Sequence, residues 1–419
     1  MKINGKRLLD NLYALREFTD TPGNGVTRFS YGAQDAKARE YILNRARAAG
    51  CTISTDALRN VRIGLKSNRP GRKTVMAGSH VDTVRNGGWL DGIYGVCGAL
   101  EAMETLAESA DIGAFAYNYE MVIFAEEEGS GFGSTMTGSK FITGIYEDDA
   151  LDRLKDDNGK TLRQTLMELD DDYGRQHNGI ELSSVRWDFD SIKTMLELHI
   201  EQGPVLDRKG LSLGIVDAIF GMRVIEVTLS GVGNHAGATP MTERYDALCT
   251  AAECILAAEK IVKADTDKRT VVTTGKLEVA PDCSNVIPET VKFTVEVRDK
   301  DEDKINSFMN RIIEKIYDIA DSRSVSCDIN EHSKSSPLQL TRRLIDSMSE
   351  RAEAQKLSYI VMDSGAVHDA CMIAKYADTG MIFVPSIDGR SHVPQENTDE
   401  SHLITGAQFL LDTILYELK

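Results

Sequence analysis

The sequence lacks the features that mark a membrane-bound or disulfide-stabilised protein. Among its 419 residues no apolar run approaches the length of about 18 that crosses a bilayer. Its seven cysteines are scattered without a CxxC pair, a distribution typical of reduced thiols. The first residues, MKINGKRLLDNLYALREF, are polar with helical periodicity, unlike a signal peptide. We therefore expect a cytoplasmic protein without a membrane partner.

Positive charge is also scarce. The chain has 48 Lys and Arg against 65 Asp and Glu, a formal net charge of −17. This balance argues against nucleic acid or an anionic membrane surface as a partner. It does not argue against a small anionic substrate, because a few local arginines can override the mean charge. At 42% hydrophobic and 27% charged residues, the composition predicts a globular chain of two or three domains.

The most informative stretch is GSHVDTVRNGGWLDGIYG, residues 78–95. It follows the apolar run TVMA, so it lies where a buried strand is predicted to end. It brings His80, Asp82 and Asp91 together within about a dozen residues, with a glycine directly after Asp91. A histidine and two carboxylates at a strand end indicate the beginning of a metal site.

Three further apolar runs are followed by side chains that can bind metals. EMVIFA precedes Glu127 and Glu128, TMLELHIEQGP contains His199 and Gln202, and MIFVPSIDGRSHVP ends near His392. Ligand sites of open α/β sheets lie beyond the carboxyl ends of the strands. We therefore expect these segments to converge on one site.

Imidazole and carboxylate groups suit Zn²⁺, Mn²⁺, Co²⁺ or Ni²⁺. Five ligands can hold two ions if the short carboxylate of Asp91 bridges them, and an adjacent carboxylate can take a proton from bound water. Each residue also has a plainer interpretation. A histidine at a strand end can be a polar cap, an acidic triplet can be a solvated turn, and Asp82 can be a surface carboxylate rather than a group that orients His80.

Secondary-structure periodicity predicts two domains. Residues 212–330 read as alternating strands and two helices in the order strand, helix, strand, strand, helix, strand, which indicates a compact α+β domain. It is inserted into a domain formed by residues 1–211 and 331–419. That domain is predicted to be α/β, with a mixed, largely parallel sheet covered by helices.

Eight motifs, in this order, cover nearly the whole chain: GSHVDTV, GGWLDGIYG, EEEGSGF, ELHIEQGP, HAGATPM, SNVIP, SGAVHDA and GRSHVP. Through them the sequence resembles the dinuclear metallo-amidohydrolase family of N-carbamoyl-L-amino-acid hydrolase, allantoate amidohydrolase and β-ureidopropionase. This family is part of the superfamily of metal-dependent aminoacylases and carboxypeptidases.

The resemblance implies a cofactor of two divalent ions, Zn, Mn, Co or Ni. By position, His80 and His199 would bind one ion. Glu128 and His392 would bind the other, and Asp91 would bridge the two.

The resemblance also implies two carboxylates with other roles. Glu127 matches the general base, and Asp82 matches the carboxylate behind His80. Peptidase-type relatives usually have a carboxylate at the position of His199, so His199 together with Gln202 favours the carbamoyl-amide branch.

The implied substrate has a carboxylate of its own. The inserted domain would act as a mobile lid and as the dimerisation domain of a homodimer, and His235 would stabilise negative charge that develops on the substrate. The substrate-binding residues implied are Gln202, His235, Asn285, Arg298, Gly365 and His368. For Arg298, a planar guanidinium suits bidentate binding of a carboxylate.

One position departs from the family. Many ureido-hydrolysing relatives have an arginine where this chain has Gly131, so a pocket for a different or bulkier substrate is expected. The expected function is hydrolysis of linear amides, with N-carbamoyl-L-amino acids or related ureido acids as substrates. Allantoate amidohydrolase, β-ureidopropionase, aminoacylase or dipeptidase activity is the enzymatic alternative. A non-catalytic relative that binds amino-acid-like ligands is the alternative from another class.

Overall fold

The computed structural model describes residues 1–109, 115–169, 180–266 and 268–419. Across these ranges, no helix is long and apolar enough to cross a membrane. The chain forms two compact units. The larger unit comprises Met1–Asp217, Leu340–Met362 and Val367–Lys419, and the smaller comprises Ala218–Gln339 and Asp363–Ala366.

The elements are numbered in chain order. The helices are α1 Gly5–Arg16, α2 Ala33–Ala48, α3 Ile93–Ala107, α4 Thr137–Thr143, α5 Ala150–Arg153, α6 Leu162–Glu168, α7 Val205–Lys209, α8 Ala247–Lys263, α9 Glu302–Ser322, α10 Arg342–Ala354, α11 Ala370–Ile373 and α12 Glu400–Glu417. The strands are β1 Thr52–Thr55, β2 Val61–Gly64, β3 Thr74–His80, β4 Asn118–Phe124, β5 Ile192–Ile200, β6 Leu213–Ile219, β7 Gly221–Ser230, β8 Asn234–His235, β9 Val271–Thr273, β10 Leu277–Ala280, β11 Val286–Ile287, β12 Thr290–Asp299, β13 Ser326–Ser335, β14 Leu338–Gln339, β15 Tyr359–Ser364 and β16 Asp378–Val384.

The main sheet has the order β1-β2-β4-β3-β5-β16-β6-β14, and β15 also pairs with β6. Its centre is parallel: β3 pairs with β4 and β5, and β5 pairs with β16, all in the same direction. The outer pairs are antiparallel. Because the central strands are nearly continuous apolar runs, they tolerate burial on both faces. The predicted α/β class with a mixed, largely parallel sheet is confirmed.

Helix α3 holds this centre in place. It begins immediately after the motif GGWLDG and packs against β3, β5 and α12. Nearly all of its side chains are buried, which is possible because its sequence, IYGVCGALEAMETLA, consists mostly of apolar and small residues. The helix fixes the residues just before it, including Asp91, relative to the carboxyl ends of β3 and β5.

The smaller unit is an antiparallel sheet of order β10-β12-β7-β13, with β9 also on β12, and helices α8 and α9 packed against it. In β12 the odd-numbered residues Val291, Phe293, Val295 and Val297 are buried in the core. The even-numbered residues form the opposite, more exposed face. This is the α+β arrangement that the alternating sequence predicts.

The boundaries of the inserted segment, predicted at 212 and 330, lie later in the chain. The smaller unit begins at Ala218 because the first half of β6 pairs with β16 in the main sheet, for example at Ile215 and Ile382. It extends to Gln339 because β13 continues along β7 as far as Ser335 and β14 then pairs with Ala218 and Ile219. The short segment Asp363–Ala366 also belongs to it.

Candidate metal centre

The parallel strands at the centre of the main sheet end side by side and bring the predicted ligands together. His80 is the last residue of β3, Glu127 and Glu128 follow β4, and His199 is the penultimate residue of β5. Asp91 lies just before α3. His80, Asp91 and His199 are each at most 5% exposed. The predicted convergence of these segments therefore holds within the larger unit.

Asp91 lies at the centre of the cluster. Its Oδ1 is 3.0 Å from Nε2 of His199 and 3.7 Å from Nε2 of His80. Its Oδ2 is 3.0 Å from Nε2 of His392, which lies 3.6 Å from Oε2 of Glu128. Two groups of possible ligands result, His80 with Asp91 and His199, and Asp91 with Glu128 and His392. One carboxylate thus has an oxygen directed to each group.

The proton positions on the histidines indicate that this set suits a cation. His80 Nδ1 lies 3.0 Å from the carbonyl of Asp82, and His199 Nδ1 lies 2.9 Å from that of Ile200. A carbonyl only accepts, so each Nδ1 is the donor. In a neutral ring, Nε2 then presents a lone pair. The Nε2 atom of His199 accepts a hydrogen bond from the backbone N of Gly92 at 3.2 Å.

These lone pairs face the carboxylate of Asp91, and acceptors in contact need a cation or an extra proton between them. Among the described residues, Oε1 of Glu128 is buried without a hydrogen-bond partner. Imidazole Nε2 atoms whose Nδ1 is held by a carbonyl, together with carboxylates, are a donor set typical of divalent transition metals. The residues present therefore fit a metal site.

The pKa shifts of the buried carboxylates also indicate a metal site. Burial favours the neutral form of Asp91, but His199 and His392 hold its pKa well below the usual range. Burial and the charge of Asp91 raise the pKa of Glu128 well above its usual range. Burial raises the pKa of Glu127 likewise, with the neighbouring carboxylates adding to the effect. This is an excess of buried carboxylate that divalent cations would neutralise.

Glu127 lies beside the two ligand groups but belongs to neither. Its Oε2 is 3.7 Å from Nε2 of His80, and its side chain is buried. A carboxylate in this position can reach a water molecule held between the ligand groups without being needed as a ligand. Its role as the base stays a prediction.

Asp82 orients the site in a way that differs from the prediction. Its backbone carbonyl, rather than its carboxylate, accepts from His80 Nδ1, and the nearest carboxylate oxygen is 3.7 Å away. The carboxylate instead accepts from the backbone N of Glu127 at 3.3 Å and of Glu128 at 3.0 Å. One residue therefore positions both the histidine of β3 and the two glutamates after β4.

The sequence did not identify Glu396 as part of the site. This residue connects the loop that contains Asp91 with the loop that contains His392. Its buried carboxylate accepts from the backbone N of Leu90, Asp91 and His392 at 2.9, 3.1 and 3.3 Å. A Cβ on Gly88 would lie 1.9 Å from the carboxyl carbon, so glycine is required there. The only available signal was that Glu396 follows His392 by four positions.

Gly92 is required for the same loop. Its φ is +66°, a conformation that favours glycine, and a Cβ there would lie 2.3 Å from Cε1 of His80. The glycine after Asp91 thus allows His80 to pack against the start of α3.

His392 lies in a loop and not, as the sequence predicted, at the end of a strand. It lies eight positions after the end of β16 rather than capping the strand, and its φ is +59°. Its side chain is 48% exposed, so it forms the open side of the cluster. Gln202, predicted to bind substrate, donates from Nε2 to Asp91 Oδ2 at 2.7 Å and also contacts His392. It therefore positions the central carboxylate.

Two other predicted residues of the larger unit lie against site residues. The buried ring of His368 packs edge-on against His199 with centroids 4.6 Å apart. Burial lowers its pKa well below the usual value, so the ring is neutral. Gly131 donates to Glu126 Oε1 at 2.8 Å, and a Cβ there would lie 3.1 Å from both carboxylate oxygens. The carboxylate of Glu126 thus lies directly beside residue 131, and the expected preference for a different or bulkier substrate stays a prediction.

The remaining predicted residues lie in the smaller unit. His235 of β8 pairs with β11, and the backbone N of the next residue donates to the carbonyl of Asn285. Arg298 of β12 donates from Nη1 to the carbonyl of Gly365 at 3.0 Å. The structure thus brings together His235 with Asn285, and Arg298 with Gly365.

The chain is similar to known proteins over almost its whole length. Residues 76–416 match the family described as peptidase family M20/M25/M40. The chain is 36% identical to N-carbamoyl-L-amino-acid amidohydrolase of Paenarthrobacter aurescens, over 98% of this chain and 97% of the relative. It is 34% identical to allantoate amidohydrolase of Escherichia coli strain K12, over 96% and 95%. The crystal structure of an amidase of the hydantoinase/carbamoylase family from Burkholderia multivorans superposes with a TM-score of 0.87 at 31% identity, covering 100% of this chain and 98% of that one.

Proposed function

This chain belongs to peptidase family M20/M25/M40, and from that premise we propose that it is a metal-dependent hydrolase of linear amides. The substrates are N-carbamoyl-L-amino acids or related ureido acids. The family resemblance read from the motifs is confirmed, and relatives that act on such compounds match almost the whole chain. The observation that carries the proposal is Asp91, whose two oxygens face separate groups of ligand side chains while Glu127 lies beside them.

We propose that the cluster holds two divalent ions, Zn, Mn, Co or Ni. His80 and His199 would hold one and Glu128 and His392 the other, with Asp91 shared. When bound, the ions supply polarisation of the substrate carbonyl and acidification of water.

Residues of the chain itself then transfer the protons. Glu127 accepts a proton from the attacking water and transfers it to the leaving nitrogen. Asp82 holds the Glu127 peptide in place, and Gln202 and Glu396 hold Asp91. For an N-carbamoyl-L-amino acid, the substrate and one water give the amino acid, ammonia and carbon dioxide.

We assign substrate binding to a second set of side chains. Arg298 would bind the substrate carboxylate, and His235 would donate to the carbonyl oxygen as negative charge develops on it. The proposed substrate-binding set is Gln202, His235, Asn285, Arg298, Gly365 and His368.

The proposed function is tested by a substrate screen. The protein is loaded separately with Zn²⁺, Mn²⁺, Co²⁺ or Ni²⁺, and ammonia and amine release are measured independently. We expect both products from N-carbamoyl-L-amino acids and none from the corresponding carboxyl amides, because Arg298 would lose its partner. Allantoate and N-carbamoyl-β-alanine test the two ureido alternatives. Cleavage of N-acetyl amino acids or dipeptides, without ammonia release from ureido compounds, would instead assign an aminoacylase or dipeptidase.

We also propose a homodimer formed through the smaller unit, with the same unit serving as a lid. Support comes from exposed apolar side chains on that unit, including Leu256, which is 65% exposed, and Met241, which is 76% exposed. Sedimentation equilibrium is expected to give twice the chain mass of 46.2 kDa. A single-chain mass at micromolar concentration would rule the dimer out.

The seven unpaired cysteines support a cytoplasmic location.

A further inference from the structure

Arg298 has a charged neighbour on its own strand. Glu296 precedes it by two positions in β12, so both side chains lie on the same, partly exposed face. Arg298 Nε donates to Glu296 Oε1 at 2.6 Å, and the two side chains are 27% and 28% exposed. The guanidinium is therefore already paired with one carboxylate.

This pairing restricts how Arg298 can bind a second carboxylate. A guanidinium offers two bidentate edges, one formed by Nε with a terminal nitrogen and one formed by the two terminal nitrogens. Glu296 occupies Nε, and the carbonyl of Gly365 accepts one hydrogen of Nη1. Since Glu296 occupies the Nε edge, an incoming carboxylate has to bind at the end of the fork formed by the two terminal nitrogens.

The other charges near Gly365 belong to a separate group. Asp363 pairs with Lys300 at 3.2 Å and with Arg269 at 3.6 Å. These two cations offset the single charge of Asp363, whereas the one positive charge of Arg298 would be shared between Glu296 and the substrate carboxylate. Like charges within a Debye length of about 8 Å repel each other measurably at a partly exposed site. Because the two carboxylates of an aspartate are close together, the second carboxylate of a substrate bound end-on to Arg298 can come within this range of Glu296.

We infer that Glu296 is a specificity-determining residue. It holds Arg298 for end-on binding of the substrate carboxylate, and its charge disfavours substrates that carry an acidic side chain. The favoured substrates are monoanionic ureido acids with a neutral side chain. This inference rests on the proposed function, in which Arg298 binds the substrate carboxylate.

The test uses two substrates of nearly equal shape, N-carbamoyl-L-asparagine and N-carbamoyl-L-aspartate. The wild-type protein is expected to favour the asparagine compound by about tenfold or more in kcat/KM, mainly through KM. In Glu296→Gln the hydrogen bond to Nε can persist but the charge is gone, so the ratio is expected to fall to about twofold. The control is Glu278→Gln. It removes an exposed carboxylate of β10 that pairs with Lys276, and it should leave the ratio of the two kcat/KM values unchanged.

A further variant separates charge from positioning. Glu296→Ala also removes the acceptor for Nε, so KM for the asparagine compound should rise about tenfold while kcat and metal content stay near wild type. Glu296→Gln should restore that KM, which a merely structural defect would not show. An unchanged substrate ratio in Glu296→Gln, or a wild-type protein that does not discriminate between the two compounds, would overturn the inference. A wild-type protein inactive on every N-carbamoyl-L-amino acid would overturn the proposed function as well, so the two failures are distinguishable.

Discussion

Glu127→Gln is expected to lower kcat by about a thousandfold, within the range of general acid–base catalysis, while leaving both metal ions bound. The amide has the size of the carboxylate but cannot accept the proton of the attacking water. Glu127 lies outside both ligand groups, so the metal sites should persist. Steady-state kinetics, together with metal analysis of the purified variant, measures the two properties separately.

The matched control is Glu126→Gln, the same substitution one residue earlier. Glu126 is buried and accepts from the backbone N of Gly131 and Phe132, contacts that an amide oxygen can retain. Burial and the charge of Asp82 raise its pKa to about 8, so it is largely neutral at pH 7 and glutamine is a close substitute. Near-normal kcat in Glu127→Gln would remove Glu127 from the role of base. Loss of metal in that variant would make it a ligand instead.

The elements that carry most of the site could be predicted because their physical signal is local. β3, β4 and β5 are buried over most of their length and therefore read as largely apolar runs, so their ends, and with them His80, His199 and the glutamates, were visible in the sequence. Helix α3 occupies Ile93–Ala107, directly after the motif that contains Asp91. Parallel strands then bring distant residues together at one edge, as the rule for α/β sheets predicts.

The parts that could not be predicted depend on contacts between distant loops. Glu396 is recognised only when its carboxylate is seen bonded to the backbone of Asp91, 305 positions away in the chain. Gln202 donates to Asp91 from a backbone with φ +60°, a conformation that no sequence pattern predicted. The boundary within β6 was missed because one alternating strand gives no sign that its first half pairs in another sheet. Each of these follows from tertiary pairing rather than from local propensity.

The roles of Asp82 show the same limit on a smaller scale. Its proximity to His80 in sequence suggested a carboxylate bonded to the imidazole. In the structure the backbone carbonyl makes that bond, which frees the carboxylate to accept two backbone N–H groups after β4. Spacing identified the residue, but the division between its backbone and side-chain contacts required the folded chain.

Asp91→Asn is expected to release both metal ions, because one carboxylate serves two ligand groups. The amide loses the charge and replaces one facing oxygen by a donor, which cannot bind a cation. Mutation of a group that only orients a metal ligand lowers metal affinity by about 10–100-fold. Removal of a shared ligand should therefore lower the affinity for each ion by at least about a hundredfold. Activity should fall with metal content.

Thermal unfolding measures the loss without relying on turnover. A ligand that binds only the folded state stabilises it by about 2.7 kcal/mol at 100 times its Kd, so added Zn²⁺ or Mn²⁺ should raise the Tm of the chelator-treated wild type by several degrees. Asp91→Asn should show almost no rise. The control is Asp388→Asn, an exposed aspartate whose φ of +58° asparagine tolerates, and its Tm should rise as in wild type. A normal metal-dependent rise in Asp91→Asn would show that the ions do not share this carboxylate, and the two ligand groups would then have to bind independently.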